Sequence, residues 1–297
     1  MATVRVKMLP DQPSPSADGP AESFRELGVG DLPALIELLD RDRDAHCVVA
    51  ERVVAAQLDP MGSGGPTWGW FSAGALRSAL FIGPNVILIE TTPAARVEFA
   101  SKLAQVGRRS SAIVGYREEV LDLWQRLAPT WGPCRELRDD QPLMVCIQDP
   151  EAESLEGVRR LGIEDLDVFM PAAIDMFTEE VGVSPVAGGR GPGYRARVAQ
   201  SISQGRVYGR IDRGEVIFKA EIGAVGRGSA QLQGVWITPR LRGSGLSTSA
   251  LSAVVKVARA EHAPRISLYA NHHNEPALRA YERVGFRQIG TFATVLF

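Results

Sequence analysis

Hydrophobic positions change period repeatedly along the chain, and the changes divide it into elements. In GVGDLPALIELLDRD, Leu32, Leu35, Ile36 and Leu39 recur at three- and four-residue spacing, which predicts a helix capped by Asp31. TWGWFSAG, ALRSALFIGP and NVILIETT then read as three strands punctuated by glycine and proline. TPAARVEFASKLAQVGRR is a helix in which Thr92 caps, Pro93 takes the first turn and Gly107 ends the element. SSAIVGY is a further strand, REEVLDLWQRLAP a further helix, and PLMVCIQ a closing strand.

Around QDPEAESLEG the composition turns acidic and loop-like, which places a domain boundary near residue 150. The order then repeats. VRRLGI reads as a strand, EDLDVFMPAAIDMFTEE as a helix or a pair of short helices, VGVSPVAGGRGPG as a glycine-rich loop and YRARVAQSISQG as a helix. RVYGRID, GEVIFKAEIGAV and SAQLQGVWITP are strands, and SGLSTSALSAVVKVARAEH is a helix. RISLYAN, EPALRAYERVG and FRQIGTFATVLF end the chain as strand, helix and strand or hairpin. Both halves thus run helix, strands, helix, strand, helix, strand. The expected division is a flexible, Pro- and Ser-rich segment 1–22, a first domain 23–150 and a second domain 151–297.

Apolar residues make up 45% of 297, ample for real cores. A formal charge of −2 without any basic block disfavours a nucleic-acid partner. Cys47, Cys134 and Cys146 are far apart and form no CxxC, which argues against structural zinc or a disulfide framework and for a reducing compartment. No apolar run approaches the ~20 residues of a membrane span, and no hydrophobic signal core opens the chain, so the expected location is cytoplasmic.

The two halves differ at one junction. In VWITPRLRGSGLSTSAL a strand passes through Thr238 and Pro239 into Arg242-Gly243-Ser244-Gly245, where a helix begins. A helix N-terminus offers free N–H groups and partial positive charge, glycines let a bulky anion approach the backbone, and Arg240 and Arg242 add charge at the rim. The first half's equivalent, ILIETTPAARVEFA, has no glycine, carries Glu90 and gives up a donor to Pro93. Taken alone, the glycine turn is also compatible with an ordinary strand–helix connection. It is neither a P-loop nor a dinucleotide fingerprint, since no GK[ST] follows and Thr248 stands where a third glycine belongs.

Arg242-Gly243-Ser244-Gly245-Leu246-Ser247 resembles motif A of the GCN5-related (GNAT) acyl-CoA N-acyltransferases, with Ser247 where that family usually has glycine or alanine. SLYANHHNEPALRAYERVGFRQIG resembles its motif B, carried by Asn274, Ala277, Tyr281, Gly285 and Phe286. The resemblance covers roughly residues 155–297, and the whole chain, through FTEEVGVSP and GFRQIGTFATVLF, looks like an actinobacterial group whose N-terminal half is a domain of unknown function. It implies an α/β fold with mixed sheets, two GNAT-like domains in tandem, the N-terminal copy degenerate and the C-terminal copy holding acetyl-CoA. The sheet would splay between its fourth and fifth strands. Backbone groups of Val235, Trp236 and Ile237 would bind the pantetheine arm, residues 242 to 248 the pyrophosphate, and Asn274 would contact the cofactor while capping its helix.

The resemblance also makes Tyr281 the general acid near the CoA sulfur; the plain alternative is a packed tyrosine bonded to backbone. The base is open. Glu221 is a lone carboxylate in an apolar strand, a base if it faces the gap and an ordinary residue if it faces water. Glu179 and Glu180 end a helix before the glycine-rich loop where the family builds its acceptor site. Gln231 and Gln233 stand where some relatives carry a catalytic glutamate, so a water relay or direct deprotonation is the other route. His272 and His273 fit a loop better than a metal set, and Trp68 and Trp70 fit a core or interface. The expectation is an acetyl-CoA-dependent N-acetyltransferase of unspecified amine acceptor, with no metal and no membrane partner; the alternative is an acyl-CoA sensor without turnover. An edge strand near the C-terminus leaves a homodimer, or cover by the N-terminal half, open.

Overall fold

The computed structural model describes residues 22–297. The expected flexible segment, but for Glu22, lies outside the described residues.

The first half contains β1 (Ser23–Glu26), α1 (Leu32–Leu39), α2 (Cys47–Ala55), α3 (Pro60–Ser63), β2 (Thr67–Ser72), β3 (Ala75–Ile82) and β4 (Asn85–Ile89). It continues with α4 (Pro93–Val106), β5 (Ala112–Tyr116), α5 (Arg117–Trp131) and β6 (Glu136–Cys146). The second half contains β7 (Arg159–Arg160), α6 (Leu166–Val181), α7 (Gly191–Ser203), β8 (Val207–Asp212), β9 (Glu215–Gly226) and β10 (Ser229–Ile237). It ends with α8 (Leu246–Glu261), β11 (Arg265–Tyr269), α9 (Glu275–Val284) and β12 (Arg287–Leu296).

The element order repeats, and so does a local motif. Arg25-Glu26-Leu27-Gly28 and Arg159-Arg160-Leu161-Gly162 each lead to an aspartate three residues on. Arg25 holds Asp31 by two bonds of 2.6 Å and Arg159 holds Asp165 by two of 2.7 Å. Each aspartate also accepts the glycine N–H, at 2.9 Å in both halves. Asp31 was expected to cap α1; its carboxylate instead faces back to Arg25 and Gly28, because a bidentate guanidinium outcompetes the N–H groups of the helix.

All twelve strands join one sheet in the order β1-β2-β3-β4-β5-β12-β6-β11-β10-β9-β8-β7. The last strand of each half has crossed to the other. β6 pairs antiparallel with β11, and β12 pairs antiparallel with β5, while β6 and β12 pair with each other at the centre. The apolar core under α8 and α9 therefore includes Met144 and Cys146 of β6, and the core under α4 and α5 includes Ala293 and Val295 of β12. The C-terminal strand is not an edge; it is covered by the first half, and β1 and β7 form the edges. A connection at residue 150 divides the sequence, but the hydrogen bonding runs across it.

Further bonds close the seam. Asp40 binds Arg227, Glu51 binds Arg206, and the buried Asp44 binds Arg265 and Ser229. Cys47 lies buried against β9 and β10, where the lack of solvation pushes its thiol up to about 12.

Candidate active site

β10 and β11 are parallel partners only from Ser229 to Gln231 and from Arg265 to Ser267. Beyond those residues they diverge, giving the expected splay between the fourth and fifth strands of this half. β10 is bulged between Gln233 and Trp236, with Gly234 at φ 57°. The turn that follows carries Gly243 at φ 75° and Gly245 at φ 83°, and α8 starts without any side-chain cap. A Cβ added to either glycine would meet nothing within 4 Å, so positive φ is what selects glycine here, and the space outside is open. Among the described residues the N–H groups of residues 243 to 247 have no backbone acceptor. Successive free amides ending in a helix N-terminus form an anion-binding concavity.

The rim arginines are engaged. Arg242 donates to the Ile237 carbonyl at 3.1 Å and to both oxygens of Glu179 at 3.0 and 2.7 Å. Trp236 Nε1 reaches the same carboxylate at 3.3 Å, and Arg240 pairs with Glu215 at 2.7 Å. Glu179, expected at the acceptor, thus ties the end of α6 to β10 and the glycine turn. Ser244 turns its hydroxyl back to the Leu241 carbonyl, while Leu246 and Ser247 open α8. Val235 is half-buried at the bulge, where it packs against the α8–α9 core.

Asn274 caps α9 by accepting from Ala277 N–H at 3.4 Å, as the sequence predicts. Tyr281, one turn before Gly285, is buried against Phe286 with ring centroids 5.8 Å apart. Its hydroxyl makes no hydrogen bond among the described residues, so the packed-and-bonded alternative is absent. Burial first, then the nearby charge of Glu180, raises its pKa well above the ordinary phenol value. The group is therefore held protonated.

Glu221 faces α6 and α7, opposite Phe218, Ala220 and Ile222, which settles the side that alternation left open. It forms a 2.6 Å ion pair with the wholly buried Lys219, whose ammonium also donates to the Gly234 carbonyl at 3.0 Å. Lys219 was not singled out from sequence; its neighbours in FKAEIG give no local sign that an ammonium is buried. Gln231 is buried and Gln233 exposed, and neither places a carboxylate on the strand. His272 and His273 are exposed in the loop before α9, and Trp68 and Trp70 belong to the first half's core. Among the described residues no three potential ligands gather around a metal-sized site, and no helix is long and apolar enough to cross a membrane.

A cavity of about 240 Å³ lies at the ends of α6 and β11. Glu180 of α6 and Tyr269 of β11 line it together with Arg138 and Gln141 of β6, Asn271 and Thr294. Arg138, Gln141, Thr294 and Leu296 of this wall come from the two strands that crossed the seam, and no pattern local to the second half announces them.

With that geometry in place, the comparisons bear on it directly. Residues 198–286 match the family model described as acetyltransferase (GNAT) family. That span takes in the glycine turn, α8 and α9 with Tyr281. Residues 65–169 match a domain of unknown function, DUF4081, which reaches past β6 into α6. No curated protein matches the chain. Among solved structures, a GCN5-related N-acetyltransferase from Sphaerobacter thermophilus is 16% identical at TM-score 0.60, over 93% of this chain and 95% of that one. A GNAT-family acetyltransferase from Colwellia psychrerythraea is 12% identical at TM-score 0.53, over 93% and 99%. A tandem GNAT protein from the clavulanic acid biosynthesis pathway is 16% identical at TM-score 0.53, over 93% and 98%. At these identities the likeness is one of fold, and it includes a protein with two GNAT units.

Proposed function

We propose that the chain is an acetyl-CoA-dependent N-acetyltransferase with one cofactor site, in the GNAT domain. The observation that carries this reading is the uncapped, glycine-led start of α8 at the mouth of the β10–β11 splay. Amides of residues 243 to 247 would receive the pyrophosphate, and the unpaired edge of β10 at Val235, Trp236 and Ile237 would receive the pantetheine amides. Arg242 would exchange part of its bonding with Glu179 for the phosphates. Acetyl-CoA would supply the activated thioester. In the transfer a C–N bond replaces the C–S bond, the sulfur gains a proton and the amine loses one. Tyr281 holds a proton at an unengaged Oη and is suited to give it to the departing sulfur. Glu221, tied to Lys219, is a poorer receiver of the amine proton than Glu180, whose carboxylate has no cation within 4.0 Å among the described residues.

A second reading, an acyl-CoA sensor without turnover, is favoured by that same engagement of Glu221. Tyr281→Phe separates the two. A transferase loses roughly 100-fold or more in kcat, measured by thiol release, while its acetyl-CoA affinity stays within about twofold. Unchanged output with intact binding supports the sensor. A cytoplasmic location accords with three free cysteines, two of them buried.

A further inference from the structure

The cavity beneath the end of α6 carries charges that the protein itself leaves partly unspent. Glu136 takes Nε and Nη2 of Arg138 at 2.7 and 3.1 Å, and the Glu180 carbonyl accepts from Nη2 at 3.0 Å. This fixes the guanidinium on one edge, and Nη1, with two N–H donors, has no acceptor among the described residues. Arg135, which also lines the cavity, has no carboxylate within 4.0 Å among the described residues. Glu180, at the same wall, has no cation within that distance. The floor is preset: Gln141 is buried, donates to Asn271 at 2.9 Å and accepts from Thr294 at 2.6 Å.

We propose that the acceptor is a small amino carboxylate bound across the seam, its amine at Glu180 and its carboxylate at Arg138. This rests on the acetyl-transfer reading above. The two ends follow from charge. Glu180 lines the cavity with Tyr269, Ala270 and Asn271, the end of β11 at the mouth of the splay, where the amine must be. Arg138 comes from the other half of the chain, by way of the crossed strand β6, and has the N–H groups of Nη1 left to donate to a carboxylate, with its positive charge beside them. A polyamine would bring a second cation against two guanidinium groups, and a plain amine would cover Nη1 without giving it an acceptor. Size agrees. At about 240 Å³ the cavity suits an amino acid or short peptide end and is too small for a folded surface.

The test uses the full chain with acetyl-CoA and follows thiol release. The acceptor panel holds free amino acids, γ-aminobutyrate and dipeptides, the amide and alcohol analogues lacking the carboxylate, and spermidine. Amino carboxylates should be preferred by tenfold or more in kcat/KM, and the split between amino acids and dipeptides names the source. Arg138→Gln should raise KM for the preferred acceptor roughly 10- to 100-fold with kcat within about threefold, and should narrow the gap to the amide analogue. Arg138→Lys should recover part of the loss. Acetyl-CoA affinity, titrated on each variant, verifies that the fold is retained. Preference for spermidine or a carboxylate-free amine overturns the proposal, as does an unchanged KM in Arg138→Gln. Acetyl-CoA binding to wild type with no amino carboxylate accepted overturns it alone; no acetyl-CoA binding overturns the transfer reading and this proposal with it.

Discussion

The junction of β4 with α4 and that of β10 with α8 occupy the same place in two copies of one fold, and they are finished in opposite ways. At the first, Thr92 caps the helix by accepting from Ala95 N–H at 3.2 Å, and Pro93 removes a donor. Thr91 gives both its N–H and its hydroxyl to Glu119, at 3.2 and 2.6 Å, and its carbonyl accepts from Arg96. Glu90 sits at φ 51° beside His46, 3.2 Å away. At the second junction the helix is uncapped and the amides are free. One turn before the closing glycine, α9 has Tyr281 where α5 has Ala128. A fold of this kind keeps its architecture whether its ligand-binding groups are offered outward or consumed internally. The difference lies in a few side chains, Glu119, Thr92 and Ala128 on one side and Gly243, Gly245 and Tyr281 on the other.

The strand exchange sets a limit on that comparison, since the copies are distinct sites but not separable bodies. The largest expected effect is therefore on truncation. Residues 151–297 alone lack β6, leaving β11 without its inner neighbour and the α8–α9 core without Met144 and Cys146. This fragment should show no cooperative unfolding transition by circular dichroism; a cooperative melt near that of the full chain would mean the copies fold independently.

A smaller effect separates the cores. Arg25, Gly69 and Ala79 stand in register across the first copy as Arg159, Gly209 and Lys219 do across the second, so the Lys219–Glu221 ion pair takes the place of the apolar Ala79 and Phe81. Glu221→Ala strands the buried Lys219 ammonium and should cost about 3 kcal/mol in denaturant unfolding. Lys219→Met with Glu221→Leu should recover most of it. Equal losses in the single and double variants would remove the ion pair from the account.

The smallest effect should be shared by both copies. Asp31→Asn and Asp165→Asn should each cost about 1–2 kcal/mol, and by similar amounts. The guanidinium partners, first by hydrogen bonding, hold both carboxyls below the usual aspartate range. Their contribution is thus complete above the unfolded value of about 3.9 and disappears as pH falls through the lowered folded values. Denaturant midpoints of wild type and variants should therefore converge below that window.

Those elements that depend on local chemistry were legible in the sequence: the Thr92 and Asn274 caps, the glycine turn and the repeated element order. What depends on partner choice was not. PLMVC and FATVL are both short apolar strands, and nothing in either says which half it will join. The same holds for Lys219, whose carboxylate partner lies two residues along the strand but whose burial is set by α6. Asp31 misled because a capping residue and an arginine ligand look alike until Arg25 is seen beside it. Arg138 lay in a polar run, ELRDDQ, that reads as surface until β12 and α6 are placed against it.

The central claim is that one copy binds the cofactor and the other does not. Isothermal titration of the full chain with acetyl-CoA tests it most directly, repeated on Gly245→Glu and on its first-copy counterpart Thr92→Glu. The account predicts a single site per chain, weakened 100-fold or more by the first substitution and unchanged by the second. Two equivalents bound, or a site that survives Gly245→Glu and is lost with Thr92→Glu, would contradict it.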